Sequence, residues 1–128
     1  MKKIHLLYLL PLTWVTTAQN YTRQTPEEKA RKYTLALLQE VQLDSAQTDK
    51  VYAINVQVSK QFDSLYASRP DDLLKKKTTI QILRRRDSLY RTVFSPEQFL
   101  QYDDIQREKR EKKRREQEEK QKMESKEK

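Results

Sequence analysis

Few residues in this chain are of types that do chemistry, and their spacing is unhelpful. His5 is the only histidine and there is no cysteine. Hydroxyl or thiol nucleophiles need a nearby base, and no Ser–His or Cys–His pairing exists to supply one. Zinc and copper sites draw on the same two residue types. Glycine is also absent, where average usage near 7% would supply about nine. Phosphate-cradling loops of the Walker or Rossmann type therefore have no raw material. The adjacent carboxylates Asp71-Asp72 and Asp103-Asp104 read as helix-start charge and surface charge, not as an acid–base pair. No catalytic, cofactor-binding or metal-ligating residue is assigned, and the chain is not expected to be an enzyme.

The concentrated chemistry is cationic. Lys75-Lys76-Lys77, Arg84-Arg85-Arg86 and Arg91 fall within one short stretch. Lys77, Arg84 and Arg91 are spaced by seven, which on a helix places them within roughly 40° of one another. Ile80 lies beside them, so a basic stripe borders an apolar position. Such a stripe is either a solvated face or a surface that steers anionic or partly unfolded partners and holds them with its apolar neighbours. Tyr33, Tyr52, Tyr66, Tyr90 and Tyr102 add rings of the kind enriched at binding surfaces. A pI near 9.6 meets the criterion for nucleic-acid binding. An exported chain has little nucleic acid to meet, so that partner is not expected.

Export is suggested by the first eighteen residues. Lys2 and Lys3 precede an apolar run over 4–15, and Thr16-Thr17-Ala18 offers small residues for cleavage before Gln19. The run is shorter than the ~20 residues a spanning helix needs, so stable membrane insertion is not expected. Residues 1–18 are thus read as a signal peptide, and the expected location is the periplasm. Its removal lowers the formal charge from +8 by two. What remains is one small domain with no cysteines to form disulfides.

Helices must position the stripe, and two strings mark where they start. Leu43-Asp44-Ser45-Ala46-Gln47 and Phe94-Ser95-Pro96-Glu97-Gln98 each read apolar, capping residue, any, any, Gln, 51 positions apart. Asp44 and Ser95 suit an N-cap, and Gln47 and Gln98 fall three residues on, where the amide can close a capping box. Pro96 suits the first helical position, and Phe94 can staple onto Phe99. Thr25-Pro26-Glu27-Glu28 is a third such start. The pattern predicts four helices. Helix 1 over 26–42 carries a stripe of Ala30, Tyr33, Leu37 and Val41. Helix 2 over 45–68 carries Val51, Ile54, Val58, Phe62 and Leu65. Helix 3, capped by Asp71 and reaching Val93, shows two stripes: Ile80, Leu83, Tyr90 and Phe94 on one side, and Ile82, Leu89 and Val93 nearly opposite. A helix apolar on two sides packs on two sides. Helix 4 starts after Ser95 with Phe99, Tyr102 and Ile105. Residues 103–128 then hold eleven Lys/Arg and nine Asp/Glu, either a solvated helical extension fraying towards its end or a disordered tail.

The paired strings resemble the LTxxQ motifs of the Spy/CpxP family of small helical periplasmic proteins. FSPEQ is near the usual Leu-Thr-Pro-Glu-Gln wording, whereas LDSAQ keeps Leu and Gln and replaces Thr with another capper. The resemblance covers roughly residues 25–105, between a loose stretch at 19–24 and the charged segment at 106–128. It implies an all-α, four-helix fold, a thin antiparallel hairpin arrangement that pairs into a cradle-shaped homodimer. It also implies ATP-independent binding of unfolded or stressed envelope proteins, without a cofactor. The alternatives are a CpxP-like regulator that binds the periplasmic domain of a sensor kinase, or a structural helical protein of the envelope. The motif residues Leu43, Asp44, Gln47, Phe94, Ser95, Pro96 and Gln98 are expected to act as caps. The expected partner surface is Lys77, Ile80, Arg84 and Arg91.

Overall fold

A computed structural model describes residues 23–127. The signal-peptide assignment at 1–18 lies outside the described residues. Four helices follow in order: α1 Pro26–Glu40, α2 Ser45–Ala67, α3 Asp72–Val93 and α4 Pro96–Lys126. No strand occurs among the described residues.

Local chemistry sets the starts. Thr25, Asp44 and Ser95 each close a full capping box with Glu28, Gln47 and Gln98, and Asp71 caps α3 by accepting from the Leu74 N–H at 2.8 Å. α1 stops two residues short of the expected Gln42, because Val41 turns extended to enter the next cap. α2 ends at Arg69-Pro70, where Arg69 takes a left-handed φ of 47°. Glycine normally fills such a position, and this chain has none. The charged segment continues α4 as helix to Lys126, exposed on all sides beyond Ile105 and Gln106.

α2 is the middle of a three-helix layer. Lys29 pairs with Asp63 and Thr34 with Asn55, so α1 and α2 run antiparallel. On its other side Asn55 accepts from the Tyr90 hydroxyl of α3. The core gathers at one end of this layer, where Leu37, Val41, Val51, Tyr90, Phe94 and Tyr102 are buried together. Tyr102 of α4 packs edge-on against Tyr90 and Phe94, with centroids 5.4 and 5.8 Å away.

Three expectations about the helix faces need correction. Tyr33 is 61% exposed, and Thr34 takes its place in the α1 contact. On α2 the buried positions are Val51, Asn55, Ser59 and Leu65, while Ile54, Val58 and Phe62 are half-buried. On α3 the two stripes are the edges of one face about 140° wide, centred near Arg86 and Tyr90. Ile82, Tyr90 and Phe94 are buried, whereas Ile80 lies outside that face and is exposed.

Candidate functional site: a motif clasp, an aromatic groove and a basic outer face

The two motif glutamines meet. The Gln47 Nε2 donates to Gln98 Oε1 at 2.7 Å and to the Val93 carbonyl at 3.1 Å. The Gln98 Nε2 donates to Gln47 Oε1 at 3.1 Å and to the Gln42 carbonyl at 2.7 Å. Each Oε1 also accepts the N–H of its own cap, Asp44 or Ser95. Both amides thus use two donors and two acceptor sites, all they have. Residues 42 and 93, 44 and 95, and 47 and 98 play matched roles, each pair 51 apart. The repeat is a local pseudo-two-fold clasp that ties the starts of α2 and α4 to the ends of α1 and α3. Caps were legible in the sequence; the contact between them was not, because side-chain reach across 51 positions has no local signal.

Next to the clasp lies a polar layer. Asn55 donates to Thr34 Oγ1 at 3.0 Å and accepts from Tyr90, while the Thr34 hydroxyl donates to the Ala30 carbonyl at 2.7 Å. Asn55 therefore joins all three helices of the layer through one side chain. Beside it the Tyr102 hydroxyl donates to Asp87 Oδ1 and accepts from Arg86, both at 2.8 Å. Arg86 also pairs with Asp87 at 2.9 Å. Burial pushes both phenols up, Tyr90 to about 12. Burial works against the Arg86 charge as well, but Tyr102 and Asp87 more than offset it and hold the guanidinium above its ordinary value.

Against that layer, which forms one of its walls, the four helices leave an open groove of about 510 Å³. Tyr33, Val58, Phe62, Tyr66 and Leu83 line it, with the Lys29–Asp63 and Lys109–Glu40 ion pairs also on its walls. Ser59 also lines it, only 3% exposed, and its Oγ has no hydrogen-bond partner among the described residues. From sequence, Val58, Phe62 and Leu83 read as stripe residues only, and Tyr33 as both a stripe residue and a ring suited to a binding surface. Their stripes read equally well as core.

Lys77, Ile80, Arg84 and Arg91 are all exposed, as their spacing predicts, but none of the four lines the groove. Arg86 is the cation of α3 that does. Arg91 stacks on the Phe99 ring at 4.4 Å and bounds a separate depression at the α3–α4 elbow. The basic stripe and the apolar groove are therefore two surfaces. Among the described residues no group of three or more His, Cys, Asp or Glu side chains could hold a metal ion.

No family model, curated protein or solved structure matches the chain. The Spy/CpxP likeness accordingly rests on the two motifs alone.

Proposed function

We propose that the protein is an exported, ATP-independent chaperone-like protein that holds unfolded envelope polypeptides. One observation carries this reading: beside its core the helical layer leaves a solvent-open groove of about 510 Å³ lined by Tyr33, Phe62, Tyr66 and Leu83. Folding that leaves such a surface exposed forgoes stabilisation, which is what a binding surface requires. The net charge, +8 on the chain and lower by two once residues 1–18 are removed, favours fast encounter with acidic segments. Steering then belongs to the outer stripe of Lys77, Arg84 and Arg91, and retention to the groove. Two copies pairing as a cradle would extend the groove, and a periplasmic location follows from the export reading.

The test is light scattering of a chemically denatured client at increasing amounts of the protein. Suppression near stoichiometry is expected. Phe62→Ser with Leu83→Ser should abolish it, and Lys77, Arg84 and Arg91 reversed to Glu should slow capture in low salt only. No suppression by the wild-type chain at excess overturns the reading. A monomeric mass by light scattering at micromolar concentration overturns the paired cradle.

A further inference from the structure

The corner between α2 and α3, at the end of the layer far from the motif clasp, carries exposed apolar residues that neither the groove nor the core uses. Leu73 is 79% exposed, Leu74 50%, and Ile80 41%. Leu73 and Ile80 lie about 20° apart on α3, two turns from each other, so they share an outward line. Two adjacent leucines on the first turn of a helix, at a corner of the fold, are costly to leave in water.

Their surroundings are cationic. Arg69 precedes them, and Lys75, Lys76 and Lys77 follow directly. Arg84, Arg85 and Arg91 continue the exposed side of the same helix. No carboxylate lies within 4 Å of any of these seven cations among the described residues. Three carboxylates belong to this stretch. Asp71 is engaged as the α3 cap, Asp87 is paired with Arg86, and Asp72 sits in the first turn at an angle about 100° from Leu73. Between residues 69 and 91 eight Lys/Arg thus face three Asp.

Apolar side chains at a tip, ringed by long cations whose stems can lie along an interface while their heads stay in water, match one kind of partner. A protein groove would offer carboxylates at fixed places; here the cations of α3 spread over more than four turns, from Lys75 to Arg91, with no fixed fork geometry. An anionic lipid surface supplies diffuse negative charge and an apolar layer a few ångströms below it. We propose that the α2–α3 corner and the outer face of α3 dock the protein on anionic bilayers, with Leu73 and Leu74 entering the headgroup boundary. This contact is peripheral: no described helix is long and apolar enough to cross a membrane. Docking takes up the outer stripe of Lys77, Arg84 and Arg91, and leaves the groove, lined by residues of all four helices, free to hold a client.

The absence of cysteine permits single-site labelling of the full chain. An environment-sensitive fluorophore is placed at Leu73→Cys and, in a second sample, at exposed Gln57→Cys on α2. Vesicles of phosphatidylcholine with 30% phosphatidylglycerol, and of phosphatidylcholine alone, are titrated in. The expected result is a blue shift at position 73 with anionic vesicles only, quenched by spin-labelled lipid, with no shift at position 57. Reversing Lys76 and Lys77 to Glu should weaken the response at 73 at least tenfold, as should raising salt to 0.5 M. Equal responses at both positions overturn the proposal, since apolar residues elsewhere in the chain would then be responsible. So does a response that survives the Lys76 and Lys77 reversal but is lost when Lys112 and Lys113 on α4 are reversed. A shift at 73 that grows with protein concentration without vesicles assigns the corner to self-association and also overturns it.

Discussion

The same three helices end in opposite ways. At the clasp end, Leu37, Val41, Val51, Tyr90, Phe94 and Tyr102 fill the space between them, and Gln47 and Gln98 lock the caps above. Towards the other end, Tyr33, Val58, Phe62 and Leu83 line an open groove, and Leu73 and Leu74 are exposed. What differs is a fourth helix: α4 brings Tyr102 and Phe99 to the clasp end and then departs as a charged rod. One half is stabilised as a fold, and the other is left as surface. That division lets a small domain without disulfides keep a rigid frame and still expose apolar area.

Substitutions can break this contrast. Tyr102→Ala should cost about 3–5 kcal/mol, whereas Phe62→Ala, on a half-buried ring, should cost well under half of that. Urea denaturation of both variants checks it, and equal losses would mean the groove half is as tightly packed as the clasp half. The second effect is alkaline. Burial raises Tyr90 to about 12 from an ordinary 10, so between those values the unfolded chain loses its proton first and the folded state binds more. Stability should be fully present below pH 10 and fall above it by up to about 1.4 kcal/mol per pH unit for each of the two buried phenols, Tyr90 and Tyr102. Tyr90→Phe should remove its own share of that fall and leave the share of Tyr102. Stability curves at pH 9, 10 and 11 decide the point.

A smaller effect sharpens the clasp itself. Gln47→Ala and Gln98→Ala should each cost about 1–2 kcal/mol by leaving partner groups unpaired. The double variant should cost less than their sum, with a coupling of about 0.5–3 kcal/mol. Gln98→Glu keeps a residue suited to the capping box but loses the donor to the Gln42 carbonyl, so it should destabilise too. If it does not, the clasp is no more than two caps. The smallest effect lies at the other end: Arg69→Gly should stabilise by about 0.5–1 kcal/mol, by relieving the left-handed backbone.

Much of the frame was legible because its causes are local. A cap and its glutamine or glutamate are three residues apart, Arg69-Pro70 stops a helix by its own geometry, and seven-residue spacing aligns Lys77, Arg84 and Arg91. The site was less legible. Tyr33 and Thr34 differ by one position on α1, and only the arrival of Asn55 decides which faces inward. The two stripes of α3 looked like opposite faces, since periodicity does not show that α2 and α4 together cover one broad arc. Asn55 and Ser59 are absent from the apolar stripe of α2, yet they are two of its four buried positions, because only the neighbouring helices decide where α1 and α3 approach it.

By itself, then, the sequence determined four helices, their starts and the exposed stripe of Lys77, Arg84 and Arg91, since each follows from contacts within a turn or two of chain. Tertiary structure alone decided that the repeated glutamines clasp each other, that α4 seals one end of the layer and not the other, and that groove and basic stripe lie on separate surfaces. Those outcomes depend on which helix reaches which neighbour, and that is a property of packing between residues distant in the chain.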